Sequence, residues 1–244
     1  MRGTHAFQLA GLQRYLAGTI PAQVAATAMA GVATIPALTA VLPATAPGLL
    51  GAVLAFLLAS TAVAVLMRRY YPHRRIGGCN VVTLLRAGLV CALLMPLMAD
   101  RPAGWTVALV AGIGLAMDGL DGFLARRSGL VSAFGARFDM EVDAALALVL
   151  ALHVIAGTVV GAEVLVLGLI RYVFVLASWV LPWLQGALPV RRWRKAICVI
   201  QIAALIVLQT PLLSPGQGIV LARIAALLLV GSFAVDIRWL WRHR

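Results

Sequence analysis

Acidic side chains are scarce in this chain. Of 244 residues only 8 are Asp or Glu, against 20 Lys and Arg, and charged residues of both signs make up just 11%. Soluble domains carry roughly 25% charged residues, so a surface that meets water all round is excluded. Cysteine is sparse as well: Cys79, Cys91 and Cys198 stand alone, with no CxxC and no Cys/His spacing. That removes a disulfide framework and a structural zinc site, and leaves the three thiols as small helix-packing residues. No internal repeat stands out, which sets aside solenoid architectures. What fills the chain is apolar, with 63% hydrophobic residues and a mean hydropathy of +1.01. Such a composition belongs to an all-α integral membrane protein. The net charge of +12 would suit nucleic acid in a soluble protein. Here the basic residues cluster between apolar runs, as they do when they set topology and meet an anionic leaflet, so no nucleic-acid partner is expected.

Hydropathy and turn residues predict about eight transmembrane helices, at about 19–42, 49–67, 80–98, 105–126, 136–158, 162–183, 195–212 and 217–239. Residues 1–18 form a short amphipathic stretch suited to a membrane surface. The first apolar run, up to LPATA, is read as a span and not as a cleaved signal, because it is long and its return partner follows at once. Arg68, Arg69, Arg74 and Arg75 crowd one connection, and Arg191, Arg192, Arg194 and Lys195 crowd another. These basic loops, both termini and the connection near 126–137 fall on one side if the chain crosses eight times. The opposite loops offer only Arg101. Both termini are therefore expected to be cytoplasmic, in the inner membrane.

Five of the eight acids fall in one stretch, as Asp118, Asp121, Asp139, Glu141 and Asp143. Carboxylates are what an apolar membrane segment tolerates least, and there they mark sites. Asp118 and Asp121 share a helix face by their spacing, and so do Asp139 and Asp143. Between the pairs, SGLVSAFG predicts a short connection, with one helix ending near Arg127 and the next starting near Gly135. Asp139 and Asp143 then fall in the first turns of a helix, where the dipole favours negative charge, and Asp118 and Asp121 near a helix C-terminus, where it does not. Facing each other across the connection, the four make an all-oxygen cluster suited to Mg²⁺ or Mn²⁺. Glu141 points away from both neighbouring aspartates and is expected in an ion pair or hydrogen bond at the rim.

Asp118, Asp121, Gly122, Ala125, Arg126, Gly135, Asp139 and Asp143 fit D-x2-D-G-x2-A-R-x8-G-x3-D-x3-D with every gap correct. Eight such matches coincide by accident on the order of once in 10⁸ starting points. The pattern resembles the signature of the CDP-alcohol phosphotransferases. The resemblance covers about 76–240 and implies a six-helix core with an added N-terminal two-helix hairpin. The corresponding division is 1–75 for the amphipathic segment and extra hairpin, and 76–244 for the membrane domain.

By that resemblance Asp118, Asp121 and Asp139 ligate one or two divalent ions, and Asp143 lies near the metal and acts as base. Ala125 belongs to the same nucleotide-binding stretch, and Arg126 is placed to pair with a phosphate. Gly122 and Gly135, lacking side chains, let a nucleotide approach the backbone; close helix packing is their other reading. Upstream, Asn80, Thr83 and Arg86 in NVVTLLR resemble the N-x2-T-x2-R pattern that opens the first core helix of many members. The usual Pro before Asn is here Cys79. The three residues share one face and are assigned to the nucleotide. Arg171 sits in an apolar run without an acidic neighbour in sequence. Members acting on phosphorylated acceptors carry an Arg in the corresponding helix, which makes Arg171, with Arg191, Arg192, Arg194 or Lys195, the acceptor-binding candidate. Arg127 and Arg137 are read equally as phosphate contacts or interface anchors, His153 as a hydrogen-bonded core residue, and Asp236 with Arg238 as a local polar pair or rim residues.

The resemblance implies transfer of a phosphatidyl group from a CDP-diacylglycerol-like donor to a small alcohol, possibly phosphorylated, with release of CMP, in phospholipid synthesis. It also implies a homodimer, a habit of the family. A neutral or zwitterionic acceptor is the alternative within the class. A transporter or assembly protein with an acidic ion site is the alternative outside it, and would need broken helices and acids at depth. A prenyltransferase is set aside because DDxxD is missing.

Overall fold

The computed structural model describes residues 19–73, 75–101, 104–128, 130–189 and 192–244. The amphipathic stretch expected over 1–18 lies outside the described residues, as do Arg74 and Arg191. Asp121, Gly122, Ala125 and Arg126 ride on a helix, but their side chains, like that of Arg192, are outside the described set.

Among the described residues the chain is helical, without strands. Its principal helices are α1 (Ile20–Ala37), α2 (Ala46–Tyr70), α3 (Gly77–Ala92), α4 (Trp105–Ser128), α5 (Ala133–Gly157), α6 (Leu165–Val180), α7 (Arg192–Val207) and α8 (Pro215–Arg242). After α3 the chain turns at Leu93 into a five-residue helix, Leu94–Met98. The boundaries have local causes. Thr45 caps α2 by accepting from Gly48 N–H at 3.2 Å, and Ser132 caps α5 by accepting from Gly135 N–H at 3.0 Å. Ser214 and Gln217 form a reciprocal capping box at α8. Each satisfies backbone donors that a helix start leaves open. Arg68 and Arg69 close α2, where cations complement the helix dipole. Gly77, at φ +75°, makes the left-handed turn into α3 that a side chain would resist.

Among the described residues six helical stretches are long and apolar enough to cross a membrane, so the protein is a multi-pass membrane protein. α4 and α7 fall short of that measure. In α4 the apolar part stops at Leu120, because the acidic stretch interrupts it, and α7 has 16 residues and opens on RWRK.

The first two helices are packed against the core. Phe56 of α2 is fully buried, its ring lies over Gly31 where a Cβ would collide with it, and the same ring reaches Gly88 of α3. Gln23 Oε1 accepts from the Ile76 backbone N–H at 2.9 Å, tying α1 to the entry of α3. Apolar burial gives little net drive between helices in lipid, so close backbone approach and polar ties matter more. Gly168 of α6 shows such an approach, since a Cβ there would stand 3.0 Å from Ala151 Cβ and from Leu148 Cα. His153, fully buried, has Nε2 at 2.7 Å from Leu93 O, which joins α5 to the end of α3 and bears out the core reading. Gln209 Nε2 donates to Leu150 O at 3.0 Å, and Gln201 Nε2 donates to Leu167 O. Neither glutamine was singled out from sequence.

Candidate functional site

Three helices build the site. α3 carries Asn80, Thr83 and Arg86 on one face, as their spacing predicts, and all three are buried. Asn80 Nδ2 donates to Ile76 O at 2.6 Å and to the Tyr71 hydroxyl at 3.1 Å, while that hydroxyl donates to Ile76 O at 3.0 Å. Burial, aided by nearby Cys79, pushes the Tyr71 phenol above its ordinary pKa, against the opposing hydrogen bond from Asn80. Thr83 Oγ1 donates to Cys79 O at 2.9 Å. The room left by Gly135 is taken by Asn80: a Cβ at Gly135 would stand 3.1 Å from Asn80 Oδ1. Close packing of α3 on α5 is thus the visible use of that glycine.

Arg86 is the centre of the arrangement. Its side chain is 1% exposed, and its Nε donates to Gly114 O at 3.1 Å on α4. Nη1 donates to Asp139 Oδ1 at 2.6 Å, and Nη2 donates to Asp143 Oδ1. Asp118 Oδ1 stands 3.6 Å from Nη1 and is buried without a hydrogen-bond partner. On its other side Asp118 Oδ2 lies 3.6 Å from Lys195 Nζ. One buried guanidinium therefore gathers carboxylates from two helices, a geometry that its fork of donors suits.

Two expectations about charge are corrected here. Asp139 and Asp143 lie beyond the first turn of α5, which holds no acid, so the helix dipole does not reach them. Asp118 lies roughly three turns from the end of α4 at ~3.6 residues per turn. Arg86 and Lys195, not the helix ends, supply the compensating charge. Nothing local in NVVTLLR points to this, because the pairing joins residues far apart in sequence.

Asp118, Asp139 and Asp143 each offer an oxygen, and these oxygens lie within 4.8 Å of one another. Hard cations take such all-carboxylate sets. The buried, unbonded Oδ1 of Asp118 is the atom that an added cation would satisfy. The donor set fits a divalent ion.

The predicted acceptor cations are only partly gathered. Lys195 reaches Asp118, whereas Arg194 pairs with Asp236 of α8, its Nε 2.9 Å from Oδ2, so of the two readings of Asp236 and Arg238, a local pair or rim residues, the local pair gives way to a partner from α7. Arg171 pairs with Glu141, which accounts for that carboxylate at the rim.

A model of the CDP-alcohol phosphatidyltransferase family matches residues 78–235, well over half of the chain. The chain belongs to the CDP-alcohol phosphatidyltransferase family. Members of the family move a phosphatidyl group from a CDP-alcohol and depend on a divalent metal. No curated protein and no solved structure matches the chain. The family match runs from α3 into α8 and leaves α1 and α2 outside it. In this member of the family the spacing of the signature coincides with a cluster of carboxylates that the fold brings together around Arg86.

Proposed function

We propose that the protein transfers a phosphatidyl group from CDP-diacylglycerol to the hydroxyl of a small alcohol and releases CMP. The observation that carries this is the convergence of Asp118, Asp139 and Asp143 within 4.8 Å. Asp118, Asp121, Asp139 and Asp143 are the residues to hold Mg²⁺ or Mn²⁺. A divalent cation bound there offsets the charge that develops on departing CMP.

The chain's own groups do the rest. Asp143 takes the proton of the acceptor hydroxyl as its oxygen attacks the phosphorus on the lipid side of the pyrophosphate, a step an alcohol needs because it is a weak nucleophile. Arg86 fixes the Asp139 and Asp143 carboxylates, so the base is held in place before substrate arrives. Gly122, Ala125 and Arg126 on α4, with Gly135 opposite, form the nucleotide site, and Asn80, Thr83 and Arg86 wall it from α3. The acyl chains of the donor stay in the bilayer. The site faces the cytoplasm, with both termini on that side, since the basic connections cluster there.

Arg171, with Arg191, Arg192, Arg194 and Lys195, is assigned to a phosphorylated acceptor. Arg171 Nε is buried without a hydrogen-bond partner, which a phosphate oxygen would satisfy. A neutral or zwitterionic acceptor is favoured by a different observation, since Arg171 and Arg194 already have carboxylate partners.

The test incubates purified protein with CDP-diacylglycerol, Mg²⁺ or Mn²⁺ and a panel of phosphorylated and neutral alcohols while CMP release is followed. Asp143→Asn is expected to lower turnover by ~10²–10⁴-fold, the usual weight of a general base, with the protein still folded. Full activity in that variant sinks the assignment of the base.

A further inference from the structure

A cavity of about 770 Å³ lies between α2, α3 and α5, within the ~300–1,000 Å³ that small ligands occupy. One wall comes from α2, outside the family match, so this is a feature of this chain's added hairpin. The lining is apolar along its depth, with Ala59, Val63, Val90, Phe138 and Val142 among its residues. Its polar residues are Tyr70, Arg137 and Glu141. Glu141 is occupied by Arg171.

Three observations say what fits there. From Ala59 to Tyr70 the α2 wall runs about 17 Å at ~1.5 Å per residue, close to one leaflet of a hydrocarbon core ~30 Å thick. Tyr70 ends α2 and Arg137 lies near the start of α5, so both stand at the same end of the groove. That end is cationic: Arg137 is exposed with no carboxylate partner among the described residues, and Arg69 sits 5.5 Å from the Tyr70 ring centroid. A slot one leaflet deep with cations at its mouth matches an acyl chain below a phosphate.

The site carboxylates do not line this groove. Asp139 and Asp143 lie on the other side of α5 from the groove: Glu141 lines it, and a step of two residues turns ~200° round a helix. We infer that the groove between α2, α3 and α5 binds one anionic glycerophospholipid as a resident ligand, its chain along α2 and its phosphate at Arg137 and Arg69. This does not rest on the proposed reaction.

The experiment strips the full-length protein of lipid in mild detergent, adds phosphatidylglycerol or phosphatidylcholine, and counts bound lipid by native mass spectrometry. One phosphatidylglycerol per chain is expected, held at least tenfold more tightly than phosphatidylcholine. Ala145→Trp and the milder Ala62→Leu, both filling the groove, should weaken it about tenfold or more while elution and helix content stay unchanged. Arg137→Gln should erase the preference between the two lipids. Leu227→Trp, on the lipid-facing outside of α8 at 72% exposure, should change nothing. The inference falls if the filled variants keep the lipid, if Leu227→Trp loses it equally, or if filling the groove instead turns a dimer into a monomer. Because lipid binding is read without CDP-alcohol, a failed transferase assay leaves this outcome legible.

Discussion

Replacing Arg86 with Met removes a cation buried among three carboxylates while keeping a side chain of similar length. Asp139 and Asp143 are 28% and 23% exposed and recover some hydration, whereas Asp118 is 8% exposed and does not. Breaking a buried ion pair from one side costs ~3–5 kcal/mol, and the partial exposure of two partners points to the lower end. At ~2–4 °C per kcal/mol for a chain of this size, Arg86→Met should lower the unfolding temperature by roughly 6–12 °C in EDTA. A divalent cation restores positive charge at the same oxygens. Mg²⁺ or Mn²⁺ at a hundredfold over its dissociation constant contributes ~2.7 kcal/mol and should raise the variant's unfolding temperature by more than the wild type's, because in the wild type the ion must share the site with Arg86. The assay is thermal unfolding in detergent, with and without metal. Equal unfolding temperatures in EDTA, or an equal gain from metal in both proteins, would refute the view that Arg86 is the internal counter-ion of the metal site.

Other outcomes follow from the same geometry. Gly31→Leu drives a side chain into the Phe56 ring and should cost ~1–3 kcal/mol by overpacking, read as a lower unfolding temperature; no change would mean that α1 is not seated on α2 as described. Tyr71→Phe loses a hydrogen bond to Ile76 O and should cost ~1 kcal/mol at neutral pH. Since the folded phenol is raised, its contribution is whole below the unfolded value near ~10 and fades as pH rises towards the folded one. The variant should therefore lack part of the alkaline destabilisation seen as pH rises above ~10 in unfolding scans. Cys198→Trp enlarges a half-buried position of α7 one turn after Lys195, which meets Asp118, and should raise KM for the acceptor about tenfold or more with little change in KM for the CDP-linked donor. An unchanged acceptor KM would move the acceptor site elsewhere.

The hairpin of α1 and α2 shows where local reading stopped. Its two spans are legible as apolar runs, and their place outside the family core is legible from where the signature pattern begins. That α1 and α2 seat on α3, through Gly31, Phe56 and Gly88, depends on small residues meeting a ring across helices, which no local spacing encodes. Arg171 lacks an acidic neighbour in sequence, and the fold gives it Glu141 from the preceding helix. Asp236 has Arg238 near it in sequence, as a pair or as a fellow rim residue, and the fold gives it Arg194. Charges within a helical bundle find partners by distance in space, so their pairing follows helix packing and not sequence order.

By itself the sequence determined the all-helical membrane class, the boundaries of the acidic stretch to within a few residues, and that Asp139 and Asp143 share a helix face. Those properties are set by hydropathy and by the 3.6-residue period, and both act over one or two turns. Only the tertiary structure decided that Arg86 stands among the carboxylates, that Lys195 approaches Asp118 from α7, and that α2 closes a groove against α3 and α5. A cluster of like charges is assembled by whatever long-range packing brings its counter-charge, and that choice is made between helices.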